Sequence, residues 1–152
     1  MFDLSPSTQP TLKTVVCPEI PSDCRFEFDA ANKILMTRFE GRLTNQLAAR
    51  GYEEMGKRAI LTDPRVSIAE MSSVTDFAVQ PIVIRSLARK VSILPDPLKN
   101  RFIVVPTTAA YGLARMFQIA GEPERPHIEI VRTLAEVWAA LGIEPPRFEP
   151  LE

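Results

Sequence analysis

The chain has 152 residues, with 18 Lys and Arg, 19 Asp and Glu, one His and two Cys, and its formal net charge is -1. This length fits a single domain, and an apolar fraction of 45% with a charged fraction of 24% excludes a wholly disordered chain. The near-neutral charge argues against nucleic acid as the main partner. The shortage of His and Cys excludes most zinc sites, which need several such ligands, and any mechanism with two histidines.

Half of the 14 prolines lie close to the two ends of the chain. Because proline removes a backbone donor, they predict a flexible N-terminal tail over residues 1–22 and a C-terminal tail over 144–152, around a domain at 23–143. The first residues lack the basic and apolar regions of a secretory signal, and no run is long enough for a membrane helix. We therefore expect a cytoplasmic protein without membrane insertion, in which Cys17 and Cys24 are reduced.

The first part of the domain reads as a β-hairpin followed by a helix. Alternating apolar and polar residues predict strands at 25–29 and 34–41, with Asn32 in a left-handed position of the turn between them. Thr44 is the expected N-cap of an amphipathic helix that ends before Asp63. The apolar positions of this helix repeat every four residues and are Leu47, Gly51, Met55 and Ala59.

A strand and a helix are expected next, and then a second strand. A short apolar strand is predicted at 66–71, and Pro81 suits the first turn of the following helix because its missing N–H would have no partner there. Ile82 falls nearer the polar side of that helix. The strand at 101–106 is almost wholly apolar, which is typical of a strand covered by helices on both faces.

The last part of the domain repeats the same alternation. Thr107 or Thr108 begins a third helix, a strand follows at 127–131, and Thr133 forms a capping box with Glu136 at the start of the last helix. The order β-β-α-β-α-β-α-β-α predicts an α/β fold with a mixed, mostly parallel sheet and flanking helices.

Few side chains offer catalytic chemistry. His127 is the only imidazole, and no Ser or Cys neighbours it at a motif spacing, so a strand-edge or surface histidine is the better interpretation. The glycine-rich phosphate-binding motifs are missing, and Glu53 and Glu54 lie on a polar helix face. The sequence predicts no catalytic residue, no metal site and no cofactor, and hence not an enzyme.

One segment, between the strand at 66–71 and Pro81, combines hydroxyls, a carboxylate and an aromatic ring. Loops beyond the carboxyl ends of strands form the working edge of an open α/β sheet. The alternative is a structural connection whose polar side chains satisfy backbone groups. The candidate partner-binding residues here are Ser72, Ser73, Thr75, Asp76, Phe77, Gln80 and Ile82.

Four segments resemble the STAS domain superfamily, the fold of anti-sigma-factor antagonists, and its bacterial SpoIIAA-like branch in particular. They are FEFDAANKIL at 26–35, SSVTDF at 72–77, YGLARMFQ at 111–118 and VRTLAE at 131–136. The resemblance covers about residues 25–142 and neither tail. It implies a STAS fold and a non-enzymatic regulatory or protein-interaction module that can form a homodimer.

The resemblance also bears on phosphorylation. STAS antagonists carry a phosphorylated serine at the position that Val79 occupies, and valine has no hydroxyl, so we expect this switch to be absent. A phosphate on Ser72, Ser73 or Thr75 would lie close to Asp76 and would favour disruption over docking.

Two functions remain open. In the first, residues 72–91 form a docking face for another protein, with Ile82 as an apolar contact. In the alternative, the protein carries or senses a small apolar or anionic ligand at the carboxyl edge of the strands, since SpoIIAA-like proteins resemble lipid-carrier folds. Helix N-termini attract anions. The candidate ligand-binding residues are Thr107, Thr108, Arg132 and Thr133, with Arg42 in a supporting position.

Overall fold

The computed structural model describes residues 23–90, 99–121 and 128–151. These residues form an α/β fold with four helices and one mixed sheet of six strands, which confirms the predicted fold class. The elements are β1 (Asp23–Asp29), β2 (Ile34–Leu43), α1 (Asn45–Thr62), β3 (Val66–Phe77), α2 (Pro81–Ala88), β4 (Asn100–Val104), α3 (Thr108–Gly121), β5 (Ile128–Val131), α4 (Leu134–Leu141) and β6 (Glu149–Leu151).

The sheet has the order β5-β4-β3-β2-β1-β6. Strands β2 to β5 are parallel to one another, whereas β1 is antiparallel to both β2 and β6. The helices that connect parallel strands let the chain return to the same edge of the sheet each time. The mostly parallel sheet with an antiparallel hairpin strand is therefore confirmed.

The alternation along β2 separates two hydrophobic cores. Leu35 and Phe39 pack in a cluster with residues of α1 and α2, while Ile34 and Met36 pack in a second cluster against Val137 of α4. Side chains of α3 pack against the same face as α1 and α2. Helix α4 thus covers one face of the sheet, and the other three described helices cover the opposite face.

Local signals place the helix ends where the sequence predicts them. Thr44 Oγ1 accepts a hydrogen bond from the backbone N–H of Leu47 at 3.1 Å, and the C-cap of α1 is Asp63, which is left-handed with φ 48°. Thr107 Oγ1 accepts from the N–H of Ala110 at 3.2 Å, so Thr107 rather than Thr108 caps α3. Thr133 caps α4 in the same way.

The hairpin turn differs from the prediction in one position. The left-handed residue is Lys33, with φ 56°, and not Asn32. The Asn32 side chain instead donates to the Asp29 carboxylate at 2.7 Å, and the same carboxylate accepts the backbone N–H of Ala31 and Asn32. Because Asp29 organises the first half of the turn, the left-handed step falls one residue later.

The end of the chain corrects a second expectation. Glu149–Leu151 were expected in a tail, but they form β6 and pair with β1, so that Pro150 lies opposite Glu27. Proline is tolerated there because β6 is an edge strand of the sheet that the described residues form. The expected N-terminal tail, Cys17 and His127 lie outside the described residues. None of the described helices combines the length and apolar character of a membrane span.

Candidate functional site

The segment expected as a loop after residue 71 is a strand. β3 continues to Phe77, and its second half pairs with β2, with Ser73 opposite Glu40 and Phe77 opposite Leu43. Only the first half of β3, up to Glu70, pairs with β4 as well. The sequence favours a loop here because Ser, Thr and Asp are common in turns. The prediction was wrong because the segment pairs with β2, and strand pairing depends on residues far along the chain.

The polar side chains of this segment lie on its surface. Ser72, Ser73 and Thr75 are exposed, and the Asp76 carboxylate accepts from Arg42 Nε at 3.1 Å. Exposed ion pairs of this kind contribute little to stability. The predicted partner-binding hydroxyls are therefore brought together along one accessible strand.

Gln80 has a structural role in the connection to α2. Its backbone N–H donates to Asn45 Oδ1 at 2.8 Å, and its side-chain Oε1 accepts from Asn45 Nδ2 at 3.2 Å. These bonds join the start of α1 to the start of α2. Ile82, two residues further on, is 68% exposed, as the helical pattern predicted.

A cavity of about 130 Å³ lies beneath the same segment. The cavity lies between the sheet and helices α1, α2 and α3, and Phe77 and Val79 both line it. Its other bulky apolar lining residues come from strands β2 to β5 and from α1, α2 and α3, and include Phe39, Met55, Met71, Leu113 and Phe117. Sequence reasoning missed this cavity, because its wall is assembled from seven separate elements.

Aromatic rings meet across two of the covering helices. The rings of Tyr52 on α1 and Phe117 on α3 contact edge to face, with 6.3 Å between their centroids, and both residues line the cavity. Such pairs add directional packing to simple burial. The contact therefore holds α1 and α3 at a set distance over the cavity.

Two polar side chains belong to the wall. Arg101 and Ser67 are 5% and 6% exposed, they are Cα partners on β4 and β3, and both line the cavity. Arg101 Nη1 donates to the backbone carbonyl of Lys99 at 2.9 Å. The signal for Arg101 was present in the sequence, since it is the one charged residue of the apolar run at 101–106.

The predicted ligand-binding residues do not line this cavity. Thr107 and Thr108 are exposed at the start of α3, and Arg132 and Thr133 are exposed before α4. The Arg132 guanidinium lies over the ring of Tyr111, 5.4 Å from its centroid. The residues thus gather on the surface near the first turn of α3, apart from the apolar wall.

The buried carboxylate of Glu70, outside the cavity, is paired with an arginine. Glu70 is 3% exposed, lies 3.6 Å from Arg38 Nη1 and accepts the backbone N–H of Ser72 at 3.2 Å. Arg38 Nε also donates to Glu27 at 3.1 Å. One guanidinium therefore holds two carboxylates.

Cys24 and the acidic groups offer no metal centre in the described part of the chain. Cys24 is a free, half-buried thiol whose pKa is raised mainly by burial. Within residues 23–90, 99–121 and 128–151, no three His, Cys, Asp or Glu side chains are grouped so that they could hold a metal ion.

The sequence matches no protein-family model, and a search of curated proteins found no similar sequence.

Proposed function

We propose that this protein is a cytoplasmic, non-enzymatic binding module of the STAS superfamily, SpoIIAA-like branch, that carries or senses a small apolar ligand. The cavity of about 130 Å³ under α1, α2 and α3 is the observation that carries this proposal. An engineered apolar cavity of about 150 Å³ stays dry and binds benzene, so a space of this size and lining accepts a ring or a short chain.

The order of the elements supports the proposed family. A hairpin precedes three rounds of strand and helix, and the strands β2 to β5 are parallel neighbours. Val79, at the position of the phosphorylated serine in STAS antagonists, is 5% exposed and lines the cavity. A buried apolar side chain at this position supports a module without the phosphoserine switch.

The lining of the cavity supports binding over catalysis. Its polar groups are the Ser67 hydroxyl, the Tyr52 phenol and the Arg101 guanidinium. Among the described lining residues there is no carboxylate, imidazole or amine that would serve as a general base for the Ser67 hydroxyl. Pockets that bind small molecules are typically apolar with a few polar groups that orient the ligand.

Titration of the ¹⁵N-labelled protein with toluene, followed by NMR, tests the proposal. We expect saturable shifts at residues that face the cavity. Ala114→Leu should abolish them, because this alanine lines the cavity and a larger side chain fills it. Ala109→Leu, at an exposed position of the same helix, is the matched control and should bind as the wild type does. A folded wild-type protein without shifts would contradict the proposal.

A second candidate function is docking of another protein, or of a second copy of this chain, on the face that contains Ile82. The observation in its favour is the 68% exposure of this side chain in the first turn of α2, beside the exposed hydroxyls of β3. Ile82→Glu should abolish partner capture, or dimerisation in sedimentation experiments, without unfolding the protein. Ile119→Glu, at an exposed position of α3, is the control and should leave both unchanged.

A further inference from the structure

The Ser67 hydroxyl lies in the wall of the cavity without a hydrogen-bond partner in the described part of the chain. Ser67 is on β3 and is 6% exposed, so it is more than nine-tenths buried. Its Cα partner on β2 is Leu35, which packs in the core under α1 and α2. Because Cα partners on neighbouring strands share a face, the Ser67 side chain also leaves the sheet on the side of the cavity.

An unpaired hydroxyl in this position destabilises the fold. A buried donor or acceptor loses its hydrogen bonds to water on folding and gains nothing in return. Alanine differs from serine only by the hydroxyl oxygen and would pack in nearly the same space without this cost. Arg101, the Cα partner of Ser67 on β4, has other partners in the chain, among them the backbone carbonyl of Lys99 at 2.9 Å. The Ser67 hydroxyl therefore offers the cavity a donor and an acceptor that the described residues do not use.

A second unpaired hydroxyl provides an internal comparison. Thr37 Oγ1 on β2 is fully buried and has no hydrogen-bond partner among the described residues. Thr37 lies opposite Ala69, which lines the cavity, but Thr37 itself is not part of the cavity wall. A ligand in the cavity therefore contacts the hydroxyl of Ser67 and not that of Thr37.

Resting on the proposed function, we infer that the ligand is a small apolar molecule with one neutral hydroxyl group, which forms a hydrogen bond with Ser67. A ligand hydroxyl satisfies Ser67 in either direction, because both groups donate and accept. A neutral group suits this place, since the charge of the neighbouring Arg101 already has partners in the chain. The volume of about 130 Å³ limits the apolar body to a single ring or a short chain. Ser67 would then orient the ligand, as the few polar groups of an apolar pocket typically do.

Phenol and toluene are the matched probes, because they share a ring of the same size and differ in the group that forms hydrogen bonds. Both are titrated into the wild-type protein by NMR. We expect phenol to bind at least as tightly as toluene, although water solvates phenol more strongly, because Ser67 replaces the hydrogen bond that phenol loses. This comparison needs no variant, so it stands even if a substitution unfolds the protein.

Two variants locate the hydrogen bond, and the measured quantity in each is the ratio of the phenol affinity to the toluene affinity. In Ser67→Ala this ratio should fall about fivefold relative to the wild type, which corresponds to the loss of one neutral hydrogen bond. Thr37→Val is the matched control, because it removes an unpaired hydroxyl outside the cavity wall and nearly keeps the shape of the side chain. It should keep the wild-type ratio.

The outcomes separate this inference from the function on which it rests. Weaker binding of phenol than of toluene by the wild type overturns the ligand hydroxyl and leaves an apolar-ligand protein. An unchanged ratio in Ser67→Ala, or an equal fall in Thr37→Val, overturns the hydrogen bond with Ser67. Absence of binding by both probes contradicts the proposed function itself.

Discussion

Gly51 of α1 lies directly against the ring of Phe39 on β2. A Cβ at position 51 would lie 2.5 Å from Phe39 Cε1 and 2.8 Å from Cζ, which is closer than carbon atoms approach in proteins. Phe39 is also part of the cavity wall. Any side chain at Gly51 therefore requires the ring to move, and the cavity is the open space beside it. We therefore expect glycine at this position to keep the Phe39 ring out of the cavity.

Gly51→Ala should lower ligand affinity strongly and change the free energy of unfolding only modestly. The displaced Phe39 ring enters the cavity, so we expect toluene affinity to fall by at least about tenfold, since the bound ligand and the ring compete for the same space. Overpacking costs about 1–3 kcal/mol, and alanine in place of glycine in a helix returns about 1 kcal/mol. Chemical denaturation and the toluene titration measure both effects.

A second substitution tests whether the displaced Phe39 ring causes the loss of toluene binding in Gly51→Ala. Phe39→Leu in the Gly51→Ala background shortens the side chain that collides and should restore toluene binding. If Gly51→Ala alone binds toluene like the wild type, the ring does not limit the cavity.

The two cores should respond differently to methionine truncation. Met55→Ala removes a lining residue, so it should lower the free energy of unfolding by about 2–5 kcal/mol and allow larger ligands such as naphthalene to bind. Met36→Ala, on the α4 face, should cost a similar amount of stability and leave ligand size unchanged. Urea denaturation and NMR titration of both variants decide this. A shared change in ligand size would show that the two faces are coupled.

Arg38 should matter more to stability than its half-buried position suggests. Arg38→Met leaves the buried Glu70 carboxylate without its cation, and loss of one member of such a pair costs about 3 kcal/mol. Adding Glu70→Gln removes the stranded charge and keeps an acceptor for Ser72, so the double variant should be the more stable of the two. Arg42→Met is the control at an exposed pair and should cost less than about 1 kcal/mol. If urea denaturation shows the same loss in free energy of unfolding for Arg38→Met and Arg42→Met, this prediction is wrong.

Asp63 should make stability depend on pH. A hydrogen bond from Lys99 and its charge lower the pKa of the Asp63 carboxyl below its ordinary 3.8. A lowered pKa in the folded state stabilises the protein above pH 3.8, and this contribution disappears as the pH falls through the lowered value. Asp63→Asn suits the left-handed backbone equally well and removes only the charge.

Melting temperatures of the wild type and Asp63→Asn, measured from neutral to acid pH, test this. The wild type should be more stable at neutral pH, and the difference should vanish in acid. Glu53→Gln, on the exposed face of α1, serves as the control. A difference between wild type and Asp63→Asn that stays constant over the whole range would exclude the ion pair with Lys99 as its source.

Local chemistry explains which elements could be predicted. Thr44 and Thr133 cap their helices and Gly142 ends α4 in a left-handed conformation, and each signal lies within a few residues of its effect. The second half of β3 and all of β6 were not predicted, because strand pairing depends on partners far along the chain. Ser73 and Pro150 both favour other structures locally, and the available edges of β2 and β1 overrode that preference.

The candidate site also combines features that local sequence predicts with features that depend on distant segments. Periodicity and capping residues alone lead to the order of the elements from β1 to α4, the α/β class and the exposure of Ile82, because these depend on spacing within single segments. The cavity depends on the register between strands and on the close approach of Gly51 to Phe39, which no single segment encodes. Arg101 is visible in the sequence as a charge within an apolar strand. Only the packing of three helices over the sheet placed that charge in the wall of a cavity beside Ser67.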